Sequence, residues 1–163
     1  MATPRSTLLS FPDPVDEVSA RLVAGGVVAM VVAAVAFDWR WLVALLAYGF
    51  VARVLTGPRL SPLGLVVTRV VRPRLDVAAR PVPGPPKRFA QGIGVVFSVT
   101  ALVLALAGAW GAAQVVLVLL GAAAFLESAF GLCLGCKGFA VLMRAGVIPD
   151  DVCERCNDIW ATG

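Results

Sequence analysis

Apolar residues fall into four long runs, separated by two short turns and one long basic stretch. Residues 18–37 open on Ala24-Gly25-Gly26 and continue as almost unbroken Val, Ala and Met, about the 20 residues that a bilayer-crossing helix needs. A polar turn, Asp38-Trp39-Arg40, leads into a second run at 41–55, and the tryptophans at 39 and 41 suit a membrane–water boundary. A third run at 89–109 passes through a small-residue turn at Trp110-Gly111 into a fourth at 113–132. The pattern predicts two helical hairpins, at 18–56 and 89–132. Ala101, Ala105 and Ala109, with Gly121 beside Ala122, Ala123 and Ala124, offer small surfaces on which helices approach closely. The expected fold is all-α, an integral membrane four-helix bundle.

The segments outside the runs give the bundle a direction. Residues 1–17 form an N-terminal segment whose Asp13-Pro14-Val15-Asp16-Glu17 reads as a helix start, with Asp13 as cap and Pro14 in the first turn. Acids precede the first run and three comparable runs follow it, so it reads as a retained span and not a cleaved leader. Residues 57–88 form a basic linker carrying Arg59, Arg69, Arg72, Arg74, Arg80, Lys87 and Arg88. Its Pro81-Val82-Pro83-Gly84-Pro85-Pro86 stretch argues against regular helix there, and 63–71 reads as a short interfacial helix ended by Pro73. By the positive-inside rule this linker is cytoplasmic, so both termini are too, and Arg40 is the only one of 14 Lys and Arg residues left outside. The expected location is an inner membrane. Asp13, Asp16 and Glu17 are expected to meet the linker arginines at that face.

Composition narrows the chemistry. With 60% hydrophobic residues, 15% charged residues and a mean hydropathy of +0.90, an ordinary soluble globule is excluded. The chain has no histidine, which removes Ser-His-Asp and Cys-His catalytic groups, mixed Cys/His zinc sites and imidazole proton switches. The net charge of +4 lies beside the apolar runs and reads as a lipid-facing collar, not a nucleic-acid surface. No phosphate-binding glycine loop and no acidic cluster for magnesium is present in the sequence.

The four cysteines form two pairs, Cys133-Leu134-Gly135-Cys136 and Cys153-Glu154-Arg155-Cys156, in a tail at 133–163. Cytoplasmic thiols are held reduced, so the pairs point to a redox or sulfur-carrying dithiol or to metal ligands, not to structural disulfides. As dithiols, one thiolate attacks and its neighbour resolves the mixed disulfide, and the two pairs make a relay. As ligands, all four thiolates bind one zinc and lock the tail onto the bundle as a non-enzymatic scaffold. Cys133 is expected at the C-terminal end of the fourth span, where the helix dipole opposes its thiolate and Lys137 favours it. A helix break at Gly135 would put Cys136 at a fresh helix start. Glu127 lies inside the fourth span, and an intramembrane carboxylate marks a functional position, with Arg53 as its expected partner. The pair either forms a structural bridge, passes protons, or lines a solute path, and a transporter of this size is expected to be a homo-oligomer.

The chain resembles a family of bacterial integral membrane proteins known as domain of unknown function 4395. The motifs that carry the resemblance are Phe11-Pro12-Asp13-Pro14-Val15-Asp16-Glu17-Val18, Gly57-Pro58-Arg59-Leu60-Ser61-Pro62, Pro85-Pro86-Lys87-Arg88-Phe89-Ala90-Gln91 and Leu132-Cys133-Leu134-Gly135-Cys136. The resemblance implies a multi-span membrane protein with no assigned reaction. It also implies a thioredoxin-like or sulfurtransferase protein as partner.

Overall fold

The computed structural model describes residues 11–153, apart from the side chains of Asp150 and Cys153. Strand β1 (Val15–Asp16) leads into helix α1 (Glu17–Ala36), a turn and helix α2 (Trp41–Thr56). The linker holds helix α3 (Pro62–Val66), a wider helical turn at Val67–Val71 and a tight one at Arg72–Arg74. Strand β2 (Pro81–Val82) pairs antiparallel with β1, Val15 opposite Val82. Helices α4 (Gly84–Leu106), α5 (Trp110–Phe130) and α6 (Leu134–Arg144) follow, and a tight turn at Asp150–Cys153 ends the described chain. Four stretches are long and apolar enough to cross a membrane: Glu17–Ala36, Trp41–Arg74, Gly84–Leu106 and Trp110–Phe130. The all-α reading holds, and the protein is a membrane protein.

Helix starts differ from expectation at two places. Asp16, not Asp13, caps α1, its Oδ2 accepting from the Ser19 N–H at 3.2 Å and the Ser19 hydroxyl at 2.7 Å. Asp13 accepts instead from the N–H of Gly84 at 3.1 Å and so ties the N-terminal segment to the start of α4. That start is the second difference. The Pro-rich stretch was expected to hold no helix, yet Pro85 and Pro86 form the first turn of α4, where a missing N–H costs no helical hydrogen bond. The expected short helix at 63–71 is present as α3 and the turns after it. Ser61 caps it, accepting from the N–H of Gly64 at 3.3 Å.

The hairpins interlock side by side. Helix α1 packs more extensively on α5 than on its own hairpin partner α2, and α2 packs on α4, which also touches α5 and α6. Val27, Val31, Val43, Leu46, Ala101 and Leu117 fill the core. The small positions permit this: a Cβ on Gly121 would stand 2.9 Å from Val31, and one on Gly94 would overlap the Phe50 ring. Val96, Val103, Val115, Leu119 and Phe125 face outward as an apolar belt in contact with lipid. At the far end Trp110 Nε1 donates to Asp38 Oδ1 at 2.6 Å, and Arg40 lies 5.0 Å from the Trp110 ring centre, so the two hairpin turns are tied together.

At the near end Asp16 does meet the linker. Arg72 Nε donates to its Oδ2 at 2.8 Å and the Arg80 N–H donates to Oδ1 at 3.2 Å. Burial pushes the Asp16 carboxyl up, but the bonds from Arg72, the Ser19 hydroxyl and the Arg80 and Ser19 N–H groups outweigh it and hold it at about 2. A depressed carboxyl stabilises the fold fully above its ordinary value of 3.8 and loses that contribution as pH falls toward about 2. Acid titration of thermal stability in detergent should therefore show a loss in this window, smaller in Asp16→Asn than in the wild type.

Candidate functional site

The cysteine site is built where α5 stops. Gly131 takes a left-handed conformation, φ +68°, as the C-cap of α5, its N–H bonded to the Glu127 carbonyl at 2.9 Å. The chain turns there, four residues before the break anticipated at Gly135, so Cys133 does not extend α5. It is the N-cap of α6, with extended backbone, and its Sγ accepts from the N–H of Cys136 at 3.4 Å. The two-residue spacer sets this contact, because residue N3 of a helix points its N–H at the N-cap side chain. The dipole acting on Cys133 is thus the positive end of α6, the reverse of the sequence expectation.

Helix α6 is pressed onto the start of α4. A Cβ on Gly135 would stand 2.5 Å from Cα of Ala90, so the close approach needs glycine. Phe139 meets Phe89 edge to face at 5.6 Å, and Met143 and Ile148 complete this small cluster. After residue 145 the chain reverses: Gly146, φ +74°, makes the turn and Ile148 packs back.

Beneath the cysteines, Lys87 Nζ lies 2.6 Å from Glu127 Oε1, with both side chains mostly buried. This corrects the expected Glu127–Arg53 pairing. Arg53 instead donates to Gln91 Oε1 at 3.0 Å and Ser61 Oγ at 3.0 Å, with its guanidinium 4.4 Å from the Phe50 ring centre. Lys87 takes the place because α4 begins early: a residue assigned to the exposed linker stands in the first turn of a packed helix and is buried. The available signal is the proline pair Pro85-Pro86, which suits a first helical turn as Pro14 does, followed directly by Lys87. Gln91 and Ser61 stand in motifs that carry the family resemblance, but nothing local marks them as partners of Arg53.

The two thiols are polarised against each other. Hydrogen bonding from the Cys136 thiol is the main influence holding Cys133 below the ordinary thiol range, and Lys87 and the Cys136 N–H add to it while burial and Glu127 oppose it. Cys136 moves up, chiefly through the same bond and through burial, with the Cys133 charge also acting against its ionisation. Both line a cavity of about 430 Å3 with Lys87 at its side. The surroundings thus favour ionisation at Cys133 over Cys136.

The second pair is not brought to this site by anything described. Cys153 has only its backbone placed, and Cys156 lies outside the described residues. Among the described residues no three Cys, Asp or Glu side chains gather as a metal group. The family described as Domain of unknown function (DUF4395) matches residues 15–144. The chain belongs to this family. The DUF4395 region runs from β1 to the last residue of α6, so it contains Lys87, Glu127, Cys133 and Cys136 and leaves Cys153 and Cys156 beyond it. No curated protein and no solved structure matches the chain.

Proposed function

We propose that the protein is a membrane dithiol that exchanges disulfides or relays sulfur at Cys133 and Cys136. The observation that carries this reading is the placement of Cys133 as N-cap of α6 with its sulfur accepting from Cys136. In the exchange step Cys133 thiolate attacks a disulfide sulfur and the leaving thiolate takes a proton. The Cys136 thiol then gives up its proton and attacks Cys133 sulfur, releasing the second thiol and leaving a Cys133–Cys136 disulfide. Lys87 stabilises the thiolate by charge, and Glu127 holds Lys87 in place.

The membrane orientation belongs to the same proposal. The basic linker, β1–β2 and α6 share one end of the bundle, and the positive-inside rule assigns that end to the cytoplasm, with both termini, in a bacterial inner membrane. There a soluble thioredoxin-like or sulfurtransferase protein exchanges with the pair and turns it over. A zinc scaffold needs Cys153 and Cys156 to join the first pair, and a solute path needs Glu127 unpaired; the Lys87–Glu127 bridge weighs against the latter.

The pH dependence of alkylation tests the assignment. Rates measured by mass spectrometry at each peptide should rise for Cys133 with a midpoint below the free-cysteine value of about 8.5, and for Cys136 only above it. Equal midpoints, or the reverse order, would remove Cys133 as nucleophile.

A further inference from the structure

Cys133 is only 8% exposed, yet it reaches the cavity of about 430 Å3 that Cys136 also lines. A convex folded protein meets such a thiol only by inserting a segment, whereas the volume lies in the range of small-molecule sites. The walls are apolar: Pro83, Pro86, Phe130, Leu132, Phe139 and Ala140. The charges are few and unequal. Lys87 is bridged to Glu127 at 2.6 Å, and a second carboxylate, Glu17, lines the recess beside the Gly131 turn. Lys137, one helical turn beyond Cys133, is exposed at the rim, and its ammonium has no hydrogen bond or ion pair among the described residues. The recess thus offers a sulfur nucleophile inside, apolar sides and an exposed lysine at the mouth.

We infer that the direct substrate of Cys133 is a small amphipathic disulfide ending in an acid, a dithiolane fatty acid or a compound of that shape. Its apolar chain lies against the proline and phenylalanine walls and its carboxylate meets Lys137. The inference rests on the thiol-exchange reading and adds the substrate class to it. The step balances without a further reagent. Cys133 thiolate bonds to one ring sulfur and the ring S–S bond breaks, its second sulfur leaving as a thiolate that takes a proton. Cys136, losing its proton, then bonds to Cys133 sulfur and releases the other sulfur. One cyclic disulfide and two protein thiols become one dithiol and one protein disulfide, and the reverse reaction reduces the protein.

The full chain in detergent is the material for the test, with lipoate as the acidic probe, lipoamide as its neutral counterpart and an oxidised thioredoxin-fold protein as the third. The readout is the rate at which the 133–136 disulfide appears in peptide mass maps. Lipoate should react with the wild type and about tenfold more slowly with Lys137→Glu, while lipoamide should react alike with both. Because Lys137 is exposed, the variant keeps the fold. In Ala140→Phe, which narrows the recess, both small probes should slow while the thiol in unfolded protein reacts normally. Exchange with the protein disulfide but not with lipoate, or a lipoate rate indifferent to Lys137→Glu, would overturn the inference and leave the thiol-exchange reading standing. If none of the three oxidises the pair, both fall.

Discussion

Cys133→Ser should abolish disulfide exchange, lowering its rate at least about a hundredfold, because the thiolate, not a hydroxyl, is the sulfur nucleophile. The serine keeps the helix cap, since its hydroxyl accepts from the residue-136 N–H as sulfur does, so α6 should stay docked and loss of exchange is not loss of fold. Cys136→Ser should behave differently. It leaves the attacking thiol and removes the one that resolves, so a mixed disulfide at Cys133 accumulates and is seen by mass as a stoichiometric adduct. A serine scan of Cys153 and Cys156 gives the contrast: if the 133–136 pair works alone, neither change affects the first exchange. Equal loss on changing either member of either pair would indicate a four-cysteine unit instead.

Glu127→Gln should be the most destabilising single change at the site, by about 3–5 kcal/mol, since it strands the buried Lys87 ammonium without its carboxylate. Thermal unfolding in detergent checks it. Removing both charges, as in the Lys87→Met, Glu127→Leu double variant, should recover most of the loss, because an apolar pair of similar volume needs no desolvation of ions. Thiol reactivity separates structure from electrostatics. Glu127 opposes the Cys133 thiolate and Lys87 favours it, so Glu127→Gln should speed Cys133 alkylation at neutral pH and Lys87→Met should slow it. If both variants change reactivity in one direction, the pair acts on the thiol only through folding.

Much of the bundle was legible in the sequence because spans announce themselves. A run of about 20 apolar residues has few folded alternatives, and the tryptophans and Asp38 mark the outer turns, which the Trp110–Asp38 bond then ties. The linker was harder. Proline reads as a helix breaker along most of a chain, and only position decides that Pro85 and Pro86 open a helix; that position is fixed by Asp13 bonding to Gly84, 71 residues away in sequence. A long-range contact of this kind leaves no local pattern. The error carried forward, since it left Lys87 on the surface and gave its partner Glu127 to Arg53.

The cysteine site was half legible. The C-x2-C spacing located it, but the sign of the helix field on Cys133 depends on which glycine ends α5. Gly131 and Gly135 are equally good candidates by composition. Packing distinguishes them: Gly131 adopts the left-handed φ of a C-cap, and Gly135 is spent on the approach to Ala90.

Native mass spectrometry of the full chain, purified in detergent without chelator or reductant, tests the central claim most directly, because one spectrum separates bound metal from a disulfide and from added sulfur. Thiol exchange at the first pair predicts a metal-free protein that has lost two hydrogens or gained a sulfur atom, with the change mapped to Cys133 and Cys136. A stoichiometric zinc adduct removed only by unfolding or chelation would contradict it and make the cysteines a structural metal site.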